Sequence, residues 1–367
     1  MHPGVALPDF PWDALAGSAA TAREHPDGIV DLSVGTPVDP TPALLRDALA
    51  AAADAPGYPT THGTPALRRA AAAWFARRRG VPDLDPDAVL PTVGSKELVA
   101  WLPTLLGLRP GDRVVIPEIA YPTYDVGARL AGAEPVPTAG LTSLGPAGAA
   151  LVWVNSPSNP TGRVLGVEHL AKVVAWARER GAVVASDECY AELGWDGTPV
   201  PSLLDPAVCH GSHEGLLAVY SLSKQSNLAG YRAGLVAGDP SLVRRLLEVR
   251  KHAGMIVPAP VQEAMRVALG DDRHVAEQRA RYAARREVLL AALAGAGLRV
   301  EAPDSQAGLY LWATRDEDCW QTVADLARTG VLVAPGSFYG VAGRRHVRIA
   351  LTATDERVAA AAARLAA

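Results

Sequence analysis

The chain has 367 residues, 49% of them hydrophobic and 20% charged, enough to bury the core of a large domain with a smaller lobe. Its net charge of −4 supplies no basic field for nucleic acid, and no uninterrupted run of about 18 apolar residues marks a membrane span. The three cysteines, Cys189, Cys209 and Cys319, are widely spaced and odd in number; they suit a reduced cytosol better than a disulfide framework and form no metal-ligand pattern.

Residues 1–30 read as an arm or short helix, anchored by Phe10 and Trp12 on its own fold or on a neighbouring subunit. They lack a basic stretch followed by an apolar one, so no signal peptide is expected. Ile29-Val-Asp-Leu-Ser-Val34 reads as a short strand ending at Gly35, where a glycine lets backbone approach a ligand. An alanine-rich helix over 41–53 follows, then a Pro/Gly-rich turn holding Tyr58. Leu90-Pro-Thr-Val leads through Gly94-Ser95-Lys96 into a helix, whose unpaired N-terminal N–H groups make a ready phosphate site. Lys96 itself is expected to point outward from the first turn.

Arg113-Val-Val-Ile-Pro117 is a strand leading to Ile119-Ala-Tyr-Pro-Thr-Tyr124. Ala149-Ala-Leu-Val-Trp-Val154 is a buried strand ending in Asn155-Ser-Pro-Ser-Asn-Pro-Thr-Gly162, whose prolines predict a cis peptide. A helix over 167–180 and a strand over 182–186 precede Asp187-Glu-Cys-Tyr190. Leu216-Leu-Ala-Val-Tyr220 then reads as a buried strand, with Lys224 just beyond its carboxyl end, where ligands collect in open α/β sheets. Lysine is scarce: the others are Lys96, Lys172 and Lys251. The Lys224 amine can form a Schiff base with an aldehyde, and Ser221, Ser223 and Arg232 can hold a phosphate, so the set suits a phosphorylated aldehyde.

Helix is expected over 241–252, a loop over 255–260, and a long helix over 271–294 joining two lobes. Strands at 308–312 and 346–351 follow, the second with Arg348 facing inward, while Arg344 and Arg345 read as a solvated edge. The strand–helix alternation of the middle favours an α/β domain with a mostly parallel sheet, and no G-x-G-x-x-G follows a first strand, which disfavours a dinucleotide domain.

In this order the motifs resemble the class I/II, fold-type I aminotransferases, which use pyridoxal 5'-phosphate (PLP). The resemblance runs from Gly35 to Arg348, and its most specific part is Asn-x-Pro-x-Asn-Pro-Thr-Gly at 155–162. It implies an N-terminal arm contributing to a small domain (1–39), a large PLP-binding domain with a mostly parallel mixed sheet flanked by helices (40–270), and an interdomain helix with a smaller α/β domain (271–367). It implies that Lys224 holds the cofactor and moves the α-proton, and that Asp187 faces the pyridine nitrogen. Tyr190 and Asn159 would bond the phenolic oxygen and Tyr121 would stack on the ring. Gly94, Ser95, Lys96, Ser221, Ser223 and Arg232 would surround the phosphate. Gly35, Asn159 and Arg348 would hold the substrate carboxylate. Tyr58 would reach the cofactor phosphate of a second subunit, making a homodimer with shared active sites. The reactants would be an amino acid and a 2-oxo acid, the location cytoplasmic, and no metal is called for.

The N-terminal run and Arg250-Lys-His-Ala-Gly-Met-Ile-Val-Pro-Ala-Pro-Val-Gln262 further resemble actinobacterial N-succinyldiaminopimelate aminotransferases of lysine biosynthesis, with glutamate as amino donor. The distal anionic end of that substrate calls for a cation, for which Arg250, Lys251, His252 and His62 are candidates, although helix-end basic residues are usually solvated. Aspartate, alanine or aromatic aminotransferases, a PLP-dependent C–S β-lyase, and a PLP-sensing regulatory module stay open as alternatives. The last is disfavoured because no basic helix-turn-helix precedes residue 30.

Overall fold

The computed structural model describes residues 7–145 and 148–366, so residues 1–6 of the expected arm lie outside the described residues. Strands are numbered along the chain: β1 (Val30–Asp31), β2 (Val89–Val93), β3 (Arg113–Pro117), β4 (Glu134–Thr138), β5 (Leu151–Asn155), β6 (Val183–Asp187), β7 (Leu216–Ser221), β8 (Ala233–Gly238), β9 (Arg299–Val300), β10 (Tyr310–Thr314), β11 (Val331–Leu332), β12 (Ala334–Pro335) and β13 (Val347–Ala350).

Seven strands form one sheet in the order β2-β8-β7-β6-β5-β3-β4. β4, β3, β5, β6 and β7 run parallel, while β8 is antiparallel to both β7 and β2. Successive side chains of a strand point to opposite faces, and the two packed cores show it. Val115, Val152, Val184 and Ala218 face one core, with helices Pro65–Arg79, Val167–Arg180 and Ala259–Gly270. Val114, Leu151, Ala185 and Leu217 face the other, with helices Gly94–Leu105, Thr123–Leu130 and Pro240–Ala253. Burial on both faces explains why these strands read as unbroken apolar runs.

A second, antiparallel sheet has the order β12-β13-β10-β9 and packs its own core. β1 pairs in parallel with β11, which ties the N-terminal segment to this lobe. The long helix Arg273–Gly295 bridges the two lobes. At its start the Ser226 hydroxyl meets His274 Nε2 at 2.8 Å, and Asn227 Nδ2 donates to Gln278 Oε1 at 2.9 Å, so the helix is bonded to the segment that follows Lys224. Further along, Arg285 pairs with Asp39 at 2.6 Å and with Asp355 at 2.7 Å.

Several boundaries move from the sequence reading. The strand expected at 29–34 is confined to β1, because the chain turns after Asp31, whose carboxylate accepts from the Ser33 amide at 2.8 Å. The loop expected through 260 gives way to helix at Ala259, since prolines at the start of a helix lose no intrahelical bond. No helix among the described residues is long and apolar enough to cross a membrane.

Candidate active site

The parallel strands β5, β6 and β7 end at Asn155, Asp187 and Ser221 on one edge of the large sheet. Because β8 is antiparallel, its start comes to the same edge, with Ala233 opposite Val93 and Gly234 opposite Ser221. That topology brings Gly94, Asn159, Asp187, Ser221, Lys224 and Arg232 to one rim.

The phosphate-type donors are gathered first. Gly94 opens the helix Gly94–Leu105 with φ at 72°, in the region that favours glycine. The Arg232 guanidinium lies directly over Gly94, where a side chain would overlap it, and Nη1 donates to the Ala229 carbonyl at 2.9 Å. Arg232 itself has φ at 59°, uncommon for a residue with a Cβ and a form of local strain associated with ligand sites. Gly234 presses on the same helix start: a Cβ there would fall 2.8 Å from the Ser95 nitrogen. The Ser221 hydroxyl donates to the Ser223 hydroxyl at 2.8 Å beside them. Lys96 points away, exposed, with Nζ 5.8 Å from the centre of the Phe10 ring. Its side chain is therefore not one of this cluster, although its residue belongs to the helix start.

The loop after β5 is clasped by Asn155. Its Nδ2 donates to the Asp187 carbonyl at 2.9 Å, and its Oδ1 accepts from the Asn159 amide at 2.7 Å. Ser156–Pro157 and Asn159–Pro160 are both cis, as the prolines predict. The clasp turns the Asn159 side chain toward Arg348, whose Nη1 donates to Asn159 Oδ1 at 3.0 Å.

Asp187 is buried. Tyr124 Oη donates to Oδ2 at 2.9 Å and the Cys189 amide to Oδ1 at 3.2 Å. Burial pushes its carboxyl above the ordinary range, against the opposing pull of these donors. Tyr121 stands edge-on to Tyr124 with ring centres 5.8 Å apart, and burial raises its hydroxyl to about 12. Cys189, expected as a core residue, is buried but wedged into the site. Burial and Asp187 push its thiol well up, while the Ser95 hydroxyl and Lys224 pull the other way.

Lys224 Nζ donates to the Gly35 carbonyl and has no carboxylate partner among the described residues. Burial above all, then Arg348 and Arg232, hold this amine below the usual lysine range against the opposing influence of Tyr310 and Cys189. Arg348, only 2% exposed, is a buried cation facing neutral groups. Nη2 donates to the Ser33 carbonyl at 2.6 Å, Nη1 to Asn159, and Nε has no partner among the described residues. An uncompensated buried charge is expensive, so this arrangement favours an incoming anion.

Tyr190 Oη lies 3.3 Å from Tyr310 Oη. Tyr310 carried no signal in the sequence beyond a strand assignment, and Tyr124 stood there only as the last residue of the aromatic loop 119–124, without a role. Tyr58 is fully exposed and stands outside the cluster of this chain. Trp12 packs on its own fold, 5.4 Å from the Phe338 ring. Three of the four candidate distal cations have partners elsewhere. Arg250 is fully buried on Glu97 at 2.8 Å, contrary to the solvated helix end expected of it, because the last turn of its helix packs against the helix Gly94–Leu105. Lys251 pairs with Glu248 at 2.7 Å, His62 bonds the Asp87 carbonyl at 3.2 Å, and His252 is exposed.

A buried amine, a buried carboxylate and a helix start crowded by Arg232 and Gly234, at the carboxyl edge of a mixed sheet, fit a fold-type I PLP-dependent transferase. The comparisons agree. The family model for aminotransferase class I and II matches residues 27–365, and the chain belongs to that family of PLP-dependent transaminases. The chain is 65% identical over 359 residues to the 4-dedimethylamino-4-oxo-anhydrotetracycline transaminase of Streptomyces rimosus, covering 98% of this chain and 99% of that one. It is 64% identical over 361 residues to a probable aminotransferase of Mycobacterium tuberculosis, covering 98% and 86%. The structure of a probable N-succinyldiaminopimelate aminotransferase from Thermus thermophilus superposes with a TM-score of 0.87 at 31% identity, covering 97% of this chain and 99% of that one.

Proposed function

We propose that this aminotransferase moves an amino group between N-succinyl-LL-2,6-diaminopimelate and 2-oxoglutarate, in lysine (diaminopimelate) biosynthesis. Arg348 carries the amino-acid part of this reading: it is a buried guanidinium whose described partners are all neutral, hydrogen-bonded to Asn159 in the loop that Asn155 clasps. The likeness to the Thermus enzyme and the sequence resemblance support the diaminopimelate part.

The residues present fit PLP. Gly94, Ser95, Ser221, Ser223 and Arg232 would hold its phosphate in the cradle that a Cβ on Gly234 would invade. Asp187 would sit against the ring nitrogen, Tyr121 against the ring face, and Tyr190 and Asn159 against the phenolic oxygen. Bound there, the cofactor supplies an aldehyde that takes up an amine and a ring that spreads the electrons left behind by the α-proton. The chain supplies the rest. Arg348 fixes the carboxylate with a planar fork, which orients the α-carbon. Lys224, held below its usual pKa, offers a larger neutral fraction to take the α-proton on Nζ and return it. A positive ring nitrogen would draw Asp187 back toward its ionised form.

A second reading rests on the relative from Streptomyces rimosus, whose name specifies a polycyclic ketone. Trp12 and Tyr339 stand near Arg348, with ring centres 5.8 and 5.0 Å from the guanidinium carbon, Phe338 packs on Trp12, and such an aromatic wall suits a planar substrate. The deciding experiment adds glutamate to the purified holoenzyme without acceptor and follows the cofactor absorbance. A shift to the pyridoxamine form supports transamination with glutamate. Initial rates are then compared for N-succinyldiaminopimelate, a 4-oxo-anhydrotetracycline, aspartate, alanine and aromatic donors. Release of pyruvate from a cysteine conjugate without acceptor would instead favour the β-lyase.

Tyr58 supports a homodimer in which it completes the partner's phosphate site. Mixing Lys224→Ala with Tyr58→Ala subunits should then give activity above the average of the two, by forming one intact site per hybrid. The free, buried thiols of Cys189, Cys209 and Cys319 support placing the enzyme in the cytoplasm.

A further inference from the structure

Tyr310 lies where the carboxylate clamp and the lysine meet. It is on β10, opposite Ala350 of β13, and is 4% exposed. Its ring is the platform for Arg348: the guanidinium carbon is 3.9 Å from the ring centre, nearer than to Tyr339 at 5.0 Å. Its hydroxyl is 3.3 Å from that of Tyr190, and the two rings meet edge to face with centres 5.8 Å apart. The same hydroxyl abuts Gly35 so closely that a Cβ there would overlap it, and the Gly35 carbonyl accepts from Lys224. One side chain thus touches the carboxylate-binding arginine, the tyrosine beside the lysine, and the backbone that holds the lysine.

We propose that Tyr310 is a positioning residue for transamination: its ring seats the Arg348 fork, and its hydroxyl orients the Tyr190 hydroxyl toward the cofactor. The role rests on the placement of Tyr190 and Arg348 proposed above. The groups facing Tyr310 are Tyr190 and Cys189 after β6, Lys224 after β7, Arg348 on β13, Tyr282 on the helix Arg273–Gly295, and Tyr121 and Tyr339. Burial raises the Tyr310 hydroxyl, but the cations Arg348 and Lys224 oppose it, and it lies below the ordinary tyrosine value. Tyr190 is pushed well up, by burial first and then by Tyr310. At 3.3 Å either hydroxyl of the pair can donate, and in the proposed role Tyr310 donates to Tyr190. That direction would leave the Tyr190 proton free to point at the cofactor's phenolic oxygen, and would polarise it in that direction.

The test is made on the holoenzyme with three variants. Tyr310→Phe keeps the ring and removes the hydroxyl; Tyr310→Leu removes both; Tyr190→Phe provides the background for a double variant. The first readout is the pH at which the visible absorbance of the bound cofactor changes, with no substrate present. Tyr310→Phe should move that transition to higher pH by about half a unit, since Tyr190 becomes a weaker donor to the phenolic oxygen. In the Tyr190→Phe background the same substitution should move it no further. The second readout is the KM for the amino donor. It should stay within about twofold in Tyr310→Phe and rise about tenfold in Tyr310→Leu, where the guanidinium loses its platform. An unchanged or lowered transition in Tyr310→Phe, an equal shift with and without Tyr190, or an unchanged KM in Tyr310→Leu would each overturn the role. Wild-type protein that forms no visible band with PLP would overturn the reading of the site, and the role with it. Tyr310→Phe alone decides the hydroxyl's part should Tyr310→Leu not fold.

Discussion

Tyr124 Oη donates to Asp187 Oδ2 at 2.9 Å, bridging the start of helix Thr123–Leu130 to the end of β6 beneath the site. The bond favours the ionised carboxylate, against burial, which pushes its pKa up. A carboxyl whose folded pKa lies above its unfolded value of about 3.9 supports the fold fully below that pH. Its contribution is lost as pH rises through the folded pKa. The cofactor-free protein therefore carries this cost at neutral pH, and a cationic ring nitrogen would remove it. Asp187→Asn should melt about 2 °C higher than wild type at pH 7 without cofactor, with the gap closing near pH 4. The gain in melting temperature on adding PLP should shrink at the same time. Scanning calorimetry of both proteins with and without PLP checks this; a cofactor-free variant less stable than wild type at pH 7 would contradict it.

Gly234 is chosen by proximity rather than by a turn. A Cβ there would lie 2.8 Å from the Ser95 nitrogen and 2.9 Å from the Gly94 carbonyl carbon, closer than side chains approach backbone. Gly234→Ala must push the helix start away from β8 and spoil the alignment of its N–H groups with Arg232. The expected result is at least about a tenfold rise in the PLP dissociation constant, since one misplaced charge-assisted bond contributes about 1.5–3 kcal/mol. Titrating the cofactor-free variant with PLP by tryptophan fluorescence measures it, with far-ultraviolet circular dichroism as the check on folding.

The candidate phosphate, lysine and asparagine positions were legible in the sequence because each is fixed by a short local constraint: a strand end, a glycine, or paired prolines. Tyr310 was not. β10 is buried throughout, as Tyr-Leu-Trp-Ala-Thr, so no alternation distinguishes the residues that face the site. Its position depends on pairing with β13, where Trp312 meets Arg348, and on docking of one lobe against the loop after β6. These contacts are long-range and leave no local mark. Arg250 illustrates the opposite error. Its place in a last helical turn suggests solvent, but packing buries it on Glu97.

Glu188 and Arg79 form a buried pair, 3.1 Å apart with side chains 1% and 3% exposed. Glu188 also accepts from the Leu203 amide at 2.8 Å and the Ser202 hydroxyl at 3.1 Å. It is thus a structural neighbour of Asp187 rather than a second acid of the site. Removing one partner of a buried pair leaves the other unpaired, so Glu188→Ala should lose about 3–5 kcal/mol of stability. Glu188→Ala with Arg79→Met should recover a large part of that, because it removes both charges. Urea unfolding of the single and double variants, followed in cofactor-loaded protein, tests the coupling. A double variant no more stable than the single would mean that the amide and hydroxyl bonds, not the ion pair, carry the loss.

Lys224 is buried beside two arginines, Arg348 and Arg232, and the neutral form of its amine is favoured by that setting. Acylation needs the neutral amine, so its rate follows the neutral fraction and levels off above the pKa. An exposed lysine levels off near about 10.4. Lys224 should level off at lower pH, and the paucity of lysines makes the measurement direct: Lys96, Lys172, Lys224 and Lys251 can be resolved peptide by peptide. Competitive labelling of the cofactor-free protein with trace acetic anhydride across pH 6 to 11, read by mass spectrometry, gives each profile. Arg348→Met removes one of the two flanking cations and should move the Lys224 profile back toward higher pH while leaving that of Lys172 in place. A Lys224 profile coincident with the exposed lysines, in wild type and variant alike, would show that burial and the arginines do not tune this amine, and the base role assigned to it would lose its physical support.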